Sequence, residues 1–316
     1  MANRVVTVFG GSGFIGRYLV QRLAQDGWVI RVAVRHPGRA AFLKPLGDVG
    51  QITPLCATLQ DEEAVAAAVD GADAVVNLVG LLYEKGTQSF GAVHFEGAER
   101  AARLAKAVGV RRFVQMSSIG ADPNAEADYA RSKGAGEAAV RGAFPEATIL
   151  RPSIVFGPED GFFNRFAMIA RLSPFLPLIG GGHTRFQPVY VVDVAEAANR
   201  ALNDAACAGQ TYELGGPKVY TFKQLMQLLL QQIGRRRLLL PIPFEIAELQ
   251  GAVLERLPVP PLTRDQVRLL RHDNVVSPEA LTLADLGITP TAPEVILPTY
   301  LDRYRRGGRY STQALA

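Results

Sequence analysis

The sequence predicts an α/β protein: a doubly wound parallel sheet followed by a smaller C-terminal α+β domain. Two observations carry this. Short β-branched apolar runs alternate with helical stretches through the first half of the 316 residues, which is the pattern of repeated strand-helix-strand units. A glycine-rich turn also follows the first run directly and opens the first helix. Runs such as Val5-Val6-Thr7-Val8-Phe9 and Ala74-Val75-Val76-Asn77-Leu78-Val79 are nearly continuous in apolar residues, as strands covered on both faces require.

The first strand is expected over Arg4 to Phe9 and its helix over Phe14 to Asp26. Strands follow at Val29 to Arg35, Gln51 to Cys56, Ala74 to Val79 and Arg112 to Ser117, with helices at Asp61 to Val69 and Glu96 to Val108 between them. A sixth strand is expected at Thr148 to Leu150. Beyond Arg151, prolines and glycines interrupt the pattern, and helical runs recur at Asp193 to Asn203, Phe222 to Ile233, Phe244 to Leu257 and Arg264 to His272. Gly180 to Gly182 and Pro258 to Pro261 read as loops. The expected division is a dinucleotide-binding domain over 1–155 and a smaller substrate or partner domain over 156–316, interleaved with returning elements of the sheet.

Composition narrows the function classes. Hydrophobic residues make up 48% and charged residues 20%, which argues against disordered, collagen-like and disulfide-stapled chains. No run reaches the roughly 18 apolar residues of a spanning helix, and Met1 to Arg4 leads straight into a strand, so no signal or transit segment is expected. The formal charge of +4 comes mostly from arginine, since only six of the 34 basic residues are lysines. No clustered basic stripe or reader motif accompanies it, so no nucleic-acid partner is expected. Cys56 and Cys207 form no paired motif; reduced thiols and no bound metal are expected.

The turn Phe9-Gly10-Gly11-Ser12-Gly13-Phe14-Ile15-Gly16 stands where a phosphate site forms. Gly10 permits a tight turn, Gly13 lets backbone approach a pyrophosphate, and Gly16 lets the helix pack closely on the sheet. Free N–H groups of Ser12, Phe14 and Ile15 at the helix start suit an anion. The second strand ends Val34-Arg35-His36 with no carboxylate for a ribose 2′-hydroxyl. Arg35 there, with Arg39 nearby, suits a 2′-phosphate and favours NADP(H) over NAD(H), though an arginine at a strand end also serves as a solvated charge. Val79, ending the fourth strand, is a further cofactor contact candidate.

Tyr129 and Lys133, spaced i and i+4, share a helix face. An ammonium beside a phenol favours phenolate and suits general acid–base work, and the same lysine can hold a nicotinamide ribose. Ser118, at the carboxyl edge of the fifth strand, is the candidate third member, with Ser117 packing or capping; alternatively both are turn hydroxyls.

Together these segments resemble the short-chain dehydrogenase/reductase superfamily, which has a Rossmann nucleotide domain, in its extended or atypical branch. The resemblance runs through Asn77-Leu78-Val79-Gly80, Arg151 to Pro158 and Phe186 to Ala195. The chain is most similar to the family of nucleotide-binding accessory subunits of respiratory complex I, on Phe9 to Val20, Ala143 to Thr148, Phe156 to Ala167, and Leu262-Thr263-Arg264-Asp265-Gln266-Val267 to Asp273-Asn274-Val275-Val276. That resemblance implies a firmly held NADPH with a structural role, complex I subunits as partners, and a peripheral place on the cytoplasmic face of a bacterial inner membrane. The alternative implied by the wider superfamily is an NADP-dependent reductase, epimerase or dehydratase acting on a small carbonyl or nucleotide-sugar substrate, with Tyr129, Lys133 and Ser118 catalytic. One departure bears on that alternative: only ten residues separate Ser118 from Tyr129, and the tyrosine-containing loop common after the serine in sugar epimerases is missing.

Three further segments remain open. Leu81 to Phe90, with Tyr83 and Glu84, either lines a cleft or is surface loop. Phe175-Leu176-Pro177-Leu178-Ile179 is core, loop or a docking surface. The basic, aromatic tail from Arg303 to Tyr310 contacts acidic lipid or a partner, or is a solvated terminus.

Overall fold

In the computed structural model, which describes residues 4–308, the first 152 residues lay down β1 (Val5–Phe9), α1 (Phe14–Gln25), β2 (Val29–Val34), β3 (Ile52–Cys56), α2 (Glu62–Val69), β4 (Ala74–Asn77), α3 (Gly97–Ala107), β5 (Arg112–Met116), α4 (Asp128–Ala143) and β6 (Thr148–Pro152). Every pairing within their sheet is parallel. The seven-stranded sheet runs Thr211–Leu214, β6, β5, β4, β1, β2, β3. The order reverses between β1 and β4, and a parallel sheet binds ligands in the crevice at such a reversal. Val6, Val8, Ile30, Val32, Val75, Val76 and Val114 are wholly buried, so the β-branched runs form the middle layer. Thr7 Oγ1 in this layer donates to Ala68 O at 2.6 Å, which satisfies the polar atom that burial would otherwise leave unpaired.

The chain divides into two compact units. One takes in the chain to Pro152, Val191–Leu214 and Ser277–Thr289; the other takes in Ser153–Tyr190, Gly215–Val276 and the chain from Pro290. In the first unit, helix Val191–Asn203 packs on α1, with Glu196 Oε2 accepting from Arg22 Nε at 2.6 Å. The second unit has its own core, in which Phe156, Phe163, Phe186, Phe222, Leu225 and Tyr300 are buried together. Its buried Asp160 accepts from the Tyr300 hydroxyl at 2.5 Å and from Phe162 N and Asn164 N.

Several elements differ from the expectation. Phe175–Ile179 is a strand in parallel register with Leu238–Ile242, with Leu176, Leu178 and Ile179 buried and Phe175 exposed. Pro177 and Pro241 disguise both partners, and a two-stranded sheet tolerates them because each strand keeps an unpaired edge. Helices at Phe163–Leu172 and Pro293–Leu301 and the strand Thr211–Leu214 are further elements outside the expected set. β4 ends at Asn77, so Val79 lies in the turn beyond it. The expected helix from Glu96 is preceded by a wide helical turn over Gly91–Glu96 whose bonds span five residues. The tail is docked as far as the description extends: Tyr304 is buried, and Arg305 Nε donates to Gln232 O at 2.8 Å. Arg309 and Tyr310 lie outside the described residues.

α4 crosses that wide turn with no room for a side chain at Gly136, where a Cβ would stand 2.0 Å from His94 O. Gly142, near the exposed end of the same helix, has nothing within 4 Å of such a Cβ. Gly136→Ala is therefore expected to destabilise the protein by about 2–4 kcal/mol, whereas Gly142→Ala is neutral or stabilising by up to about 1 kcal/mol. Thermal unfolding of the two variants checks this directly.

Candidate functional site

The turn after β1 is shaped by backbone meeting backbone. Gly10 has a φ of +78°, a conformation that favours glycine, and its N–H donates to Ala33 O at 3.2 Å while Gly10 O accepts from Gly13 N at 3.0 Å. A Cβ on Gly16 would lie 2.5 Å from Gly10 O, so α1 seats directly on the turn. Gly11 is equally confined, since its Cβ would lie 2.9 Å from Val32 Cγ1. Gly13 caps α1 without a side-chain hydrogen bond, and no acidic residue occupies the first turn. In contrast, Asp61 Oδ1 accepts from Ala64 N at the start of α2. The helix start at Ser12, Gly13, Phe14 and Ile15 thus keeps backbone donors that no side chain occupies, as an anionic ligand requires.

Across the reversal, Asn77 organises the turn after β4. It is fully buried; its Nδ2 donates to Gln115 Oε1 at 2.9 Å, and its Oδ1 accepts from Val79 N at 3.1 Å. Gly80 follows, where a Cβ would stand 3.3 Å from Lys133 Nζ. Arg35 lies one residue past β2 and is exposed, as is Arg39, and neither pairs with a carboxylate among the described residues.

Ser118, Tyr129 and Lys133 meet at the carboxyl edge of β5. Lys133 is buried, its Nζ donates to Met116 O at 3.2 Å, and it lies 5.9 Å from the Tyr129 ring centroid. Burial lowers the Lys133 ammonium to about 8, with Glu137 opposing the shift. Glu137 itself is held by Arg151 at 2.6 Å. Tyr129 departs from the expectation of a lysine-lowered phenol. Burial pushes it up, and the opposing influence is the Ser118 hydroxyl, positioned as a hydrogen-bond donor, rather than Lys133. At 5.9 Å from the ring and engaged with Met116 O, the ammonium does not compensate the phenol's desolvation.

Burial of hydroxyls supplies a test of ligand fit. Ser117 Oγ and Ser118 Oγ are both buried without a hydrogen-bond partner of regular geometry among the described residues. A polar ligand entering this edge would satisfy them. Together with the open donors at α1 and the Lys133 ammonium, this donor set fits a dinucleotide whose phosphates lie at the glycine turn and whose far ring lies by Ser118.

The sequence did not single out His94. It is 3% exposed and stands between the turn after β4 and helix α4: its Nε2 accepts from Leu81 N at 2.8 Å, and its Nδ1 lies 2.9 Å from Ser132 Oγ. Ser132 Oγ donates to Tyr129 O at 2.8 Å. Because the Leu81 donor occupies Nε2, the ring proton is assigned to Nδ1, where it donates to Ser132. The ring also stacks on Phe90 at 5.3 Å and meets Tyr129 edge-on at 5.5 Å. Burial, and then the nearby Lys133 charge, lower its pKa to about 3. The segment Leu81 to Phe90 therefore contributes to the site through Leu81 and Phe90. Its Glu84 accepts from Phe90 N at 2.7 Å and, with Phe90, Phe95 and Arg131, lines an open depression of about 500 Å³. The spacing of helical and strand residues carries no signal for His94, which sits in the wide turn.

The unfolded chain takes up a proton at His94 near pH 6.5, whereas the folded chain does so only near 3. The stability held by the neutral ring is thus fully present above pH 6.5 and lost as pH falls toward 3, because the unfolded state binds more protons in that window. His94→Gln keeps an acceptor for Leu81 and is expected to flatten this acid limb. Urea unfolding across the same window would show it.

The profile of the NAD dependent epimerase/dehydratase family matches residues 6–215. The Arabidopsis thaliana protein NADH dehydrogenase (ubiquinone) 1 alpha subcomplex subunit 9, mitochondrial, is 40% identical, covering 96% of this chain and 79% of its own. The Neurospora crassa NADH-ubiquinone oxidoreductase 40 kDa subunit, mitochondrial, is 35% identical over 98% of this chain and 82% of its own. Among solved structures, the dTDP-glucose 4,6-dehydratase of Streptomyces venezuelae superposes with a TM-score of 0.71 at 19% identity, covering 95% and 96% of the two chains, which speaks for the shared fold. The sheet reversal, the glycine turn and the family match agree: the chain belongs to the NAD dependent epimerase/dehydratase family.

Proposed function

We propose that this chain is an accessory subunit of respiratory complex I that holds a nicotinamide dinucleotide, NADPH in preference to NADH, for a structural purpose. The observation that carries the reading is similarity along 96% and 98% of the chain to two proteins named as subunits of that complex. A peripheral place on the cytoplasmic face of a bacterial inner membrane completes the proposal; among the described residues no helix is long and apolar enough to cross a membrane. The preference for NADPH rests on exposed, unpaired Arg35 at the end of β2, where a 2′-phosphate would find a guanidinium and no carboxylate.

The residues divide the work of binding. The N–H groups of Ser12, Phe14 and Ile15 receive the pyrophosphate, Gly10, Gly13 and Gly16 keep side chains out of its way, and Val79 borders the turn across the reversal. Ser118, Tyr129 and Lys133 receive the ribose and ring at the other end. A bound nicotinamide dinucleotide supplies hydride-transfer chemistry. The upward shift of the Tyr129 phenol supports a holding role, because a general base needs a pKa near the working pH.

The second reading, a reductase, epimerase or dehydratase, is favoured by one specific observation: Ser118, Tyr129 and Lys133 converge. In it Tyr129 would transfer the proton, Lys133 would stabilise the phenolate, and Ser118 would donate to the substrate oxygen.

Gly13→Asp sets a carboxylate against the pyrophosphate and is expected to empty the site and weaken assembly. Tyr129→Phe is expected to leave assembly intact, and assembly lost with dinucleotide still bound would count against the structural, non-catalytic reading. Blue-native electrophoresis of gently solubilised membranes reads the outcome, with co-migration in near-stoichiometric amount expected. A chain running only as a small species that oxidises NADPH with a carbonyl compound would instead establish the enzyme reading. Arg35→Ala is expected to weaken NADPH binding about tenfold, the scale of one charge-assisted hydrogen bond, and to leave NADH binding unchanged, as measured by calorimetry.

A further inference from the structure

The second unit carries a helix with apolar residues on its outer side as well as its inner one. In Phe244–Leu254 the side facing the unit combines Phe244, packed with Ala247, Ile179 and Val267, with small residues and tethered acids. Ala247 and Gly251 are buried, and a Cβ on Gly251 would lie 2.8 Å from Arg264 N. Glu248 pairs with Arg271 at 3.1 Å, and Glu255, just past the helix, pairs with Arg264 at 2.6 Å. Further apolar residues face away: Ile246, Leu249, Val253 and Leu257 are 51%, 70%, 60% and 49% exposed. The spacing of Ile246, Leu249 and Val253 aligns them in one stripe on the helix, and Leu257, just past the helix end, extends the exposed apolar surface. An amphipathic helix normally turns such a stripe inward, so an exposed one marks a surface that something apolar covers.

The chain leading into this helix supplies the charge. Arg235, Arg236 and Arg237 precede the strand Leu238–Ile242, on which Leu238 and Leu240 are exposed. The field of Arg237, Arg306 and Arg171 acts on Arg235, adding to burial in lowering its pKa. Arg235 Nε donates to Tyr304 O, Arg237 Nε to Ala170 O and Arg305 Nε to Gln232 O. Among the described residues no carboxylate pairs with any of these arginines. The cluster is therefore positive and unneutralised, next in sequence to exposed leucines.

We infer that the segment from Arg235 to Val259 is a membrane-surface anchor that seats on an anionic lipid bilayer, the arginines meeting headgroup phosphates and the stripe Ile246, Leu249 and Val253, extended by Leu257, entering the acyl boundary. The charge complementarity selects this occupant: a purely apolar partner would leave the arginines uncompensated, and a purely acidic one would leave the stripe in water. At 11 residues the helix lies in the interface and does not span it. The inference rests on the proposed peripheral placement and deepens it, and it stands apart from the dinucleotide site.

Flotation of the purified full chain with vesicles tests it. Vesicles of phosphatidylcholine containing phosphatidylglycerol are expected to carry the chain upward at moderate salt, and pure phosphatidylcholine vesicles to carry about tenfold less. Leu249→Glu with Val253→Glu, at sites already exposed, is expected to lower partitioning about tenfold or more with an unchanged melting temperature. Arg236→Gln with Arg306→Gln is expected to lower it severalfold on the anionic vesicles only. Equal flotation on both vesicle types, or retention of flotation by the Leu249 and Val253 variant, would overturn the inference. No flotation on either would overturn it too, in favour of a protein partner with an acidic rim. NADPH binding measured on the same preparation keeps failure here distinct from failure at the nucleotide site.

Discussion

The close seating of α1 on the turn after β1 is the constraint from which the nucleotide half of the structure follows. A Cβ at Gly16 would stand 2.5 Å from Gly10 O and 2.6 Å from Gly11, so the helix can begin where it does only because no side chain is there. That seating aims the first N–H groups of α1 past the end of the sheet, beside the reversal between β1 and β4. The field of the helix start and the crevice of the sheet thereby coincide, an arrangement that suits an anion without any basic side chain in the turn itself.

The other end of the site depends on a second close approach. Gly136 lets α4 lie against the backbone of His94, and this contact brings Tyr129, Ser132 and Lys133 to the same turn that holds Gly80 and Leu81. His94 ties the arrangement together as a neutral ring, accepting from Leu81 on one side and donating toward Ser132 on the other. Charging it would remove the acceptor at Nε2 and set a second cation beside Lys133. Its depressed pKa and the lowered Lys133 ammonium share a cause, burial, and Lys133 contributes further to the depression at His94.

The second unit shows a different balance. Its core is aromatic and well filled around Phe156, Phe163 and Phe222, and the buried pair of Asp160 with Tyr300 is satisfied by backbone donors as well. Outside that core the helix Phe244–Leu254 turns its apolar stripe outward while its acids are held in ion pairs. Packing within the unit thus leaves both apolar surface and arginine charge uncovered, a combination that a bilayer surface relieves and water does not.

The doubly wound parallel sheet and the family were legible in the sequence because each rests on local chemistry: β-branched runs, a glycine turn with fixed offsets, and two residues four apart on one helix. That Tyr129 and Lys133 share a face needs only the helical period. Other features needed the assembled chain. The state of Tyr129 is set by burial, which outweighs the opposing Ser118 hydroxyl from another element, so its phenol is raised where the pair considered alone would lower it. His94 and Gly136 lie far apart in sequence and matter only because α4 crosses the wide turn at 91–96. The strands at Phe175–Ile179 and Leu238–Ile242 each contain a proline, and only their mutual pairing makes them strands. The spacing of Ile246, Leu249 and Val253 shows a stripe, but which way it faces is decided by Gly251 and by the arginines that bind the acids on the opposite side. Local patterns fix period and turn; direction, burial and charge compensation belong to the neighbours that folding supplies.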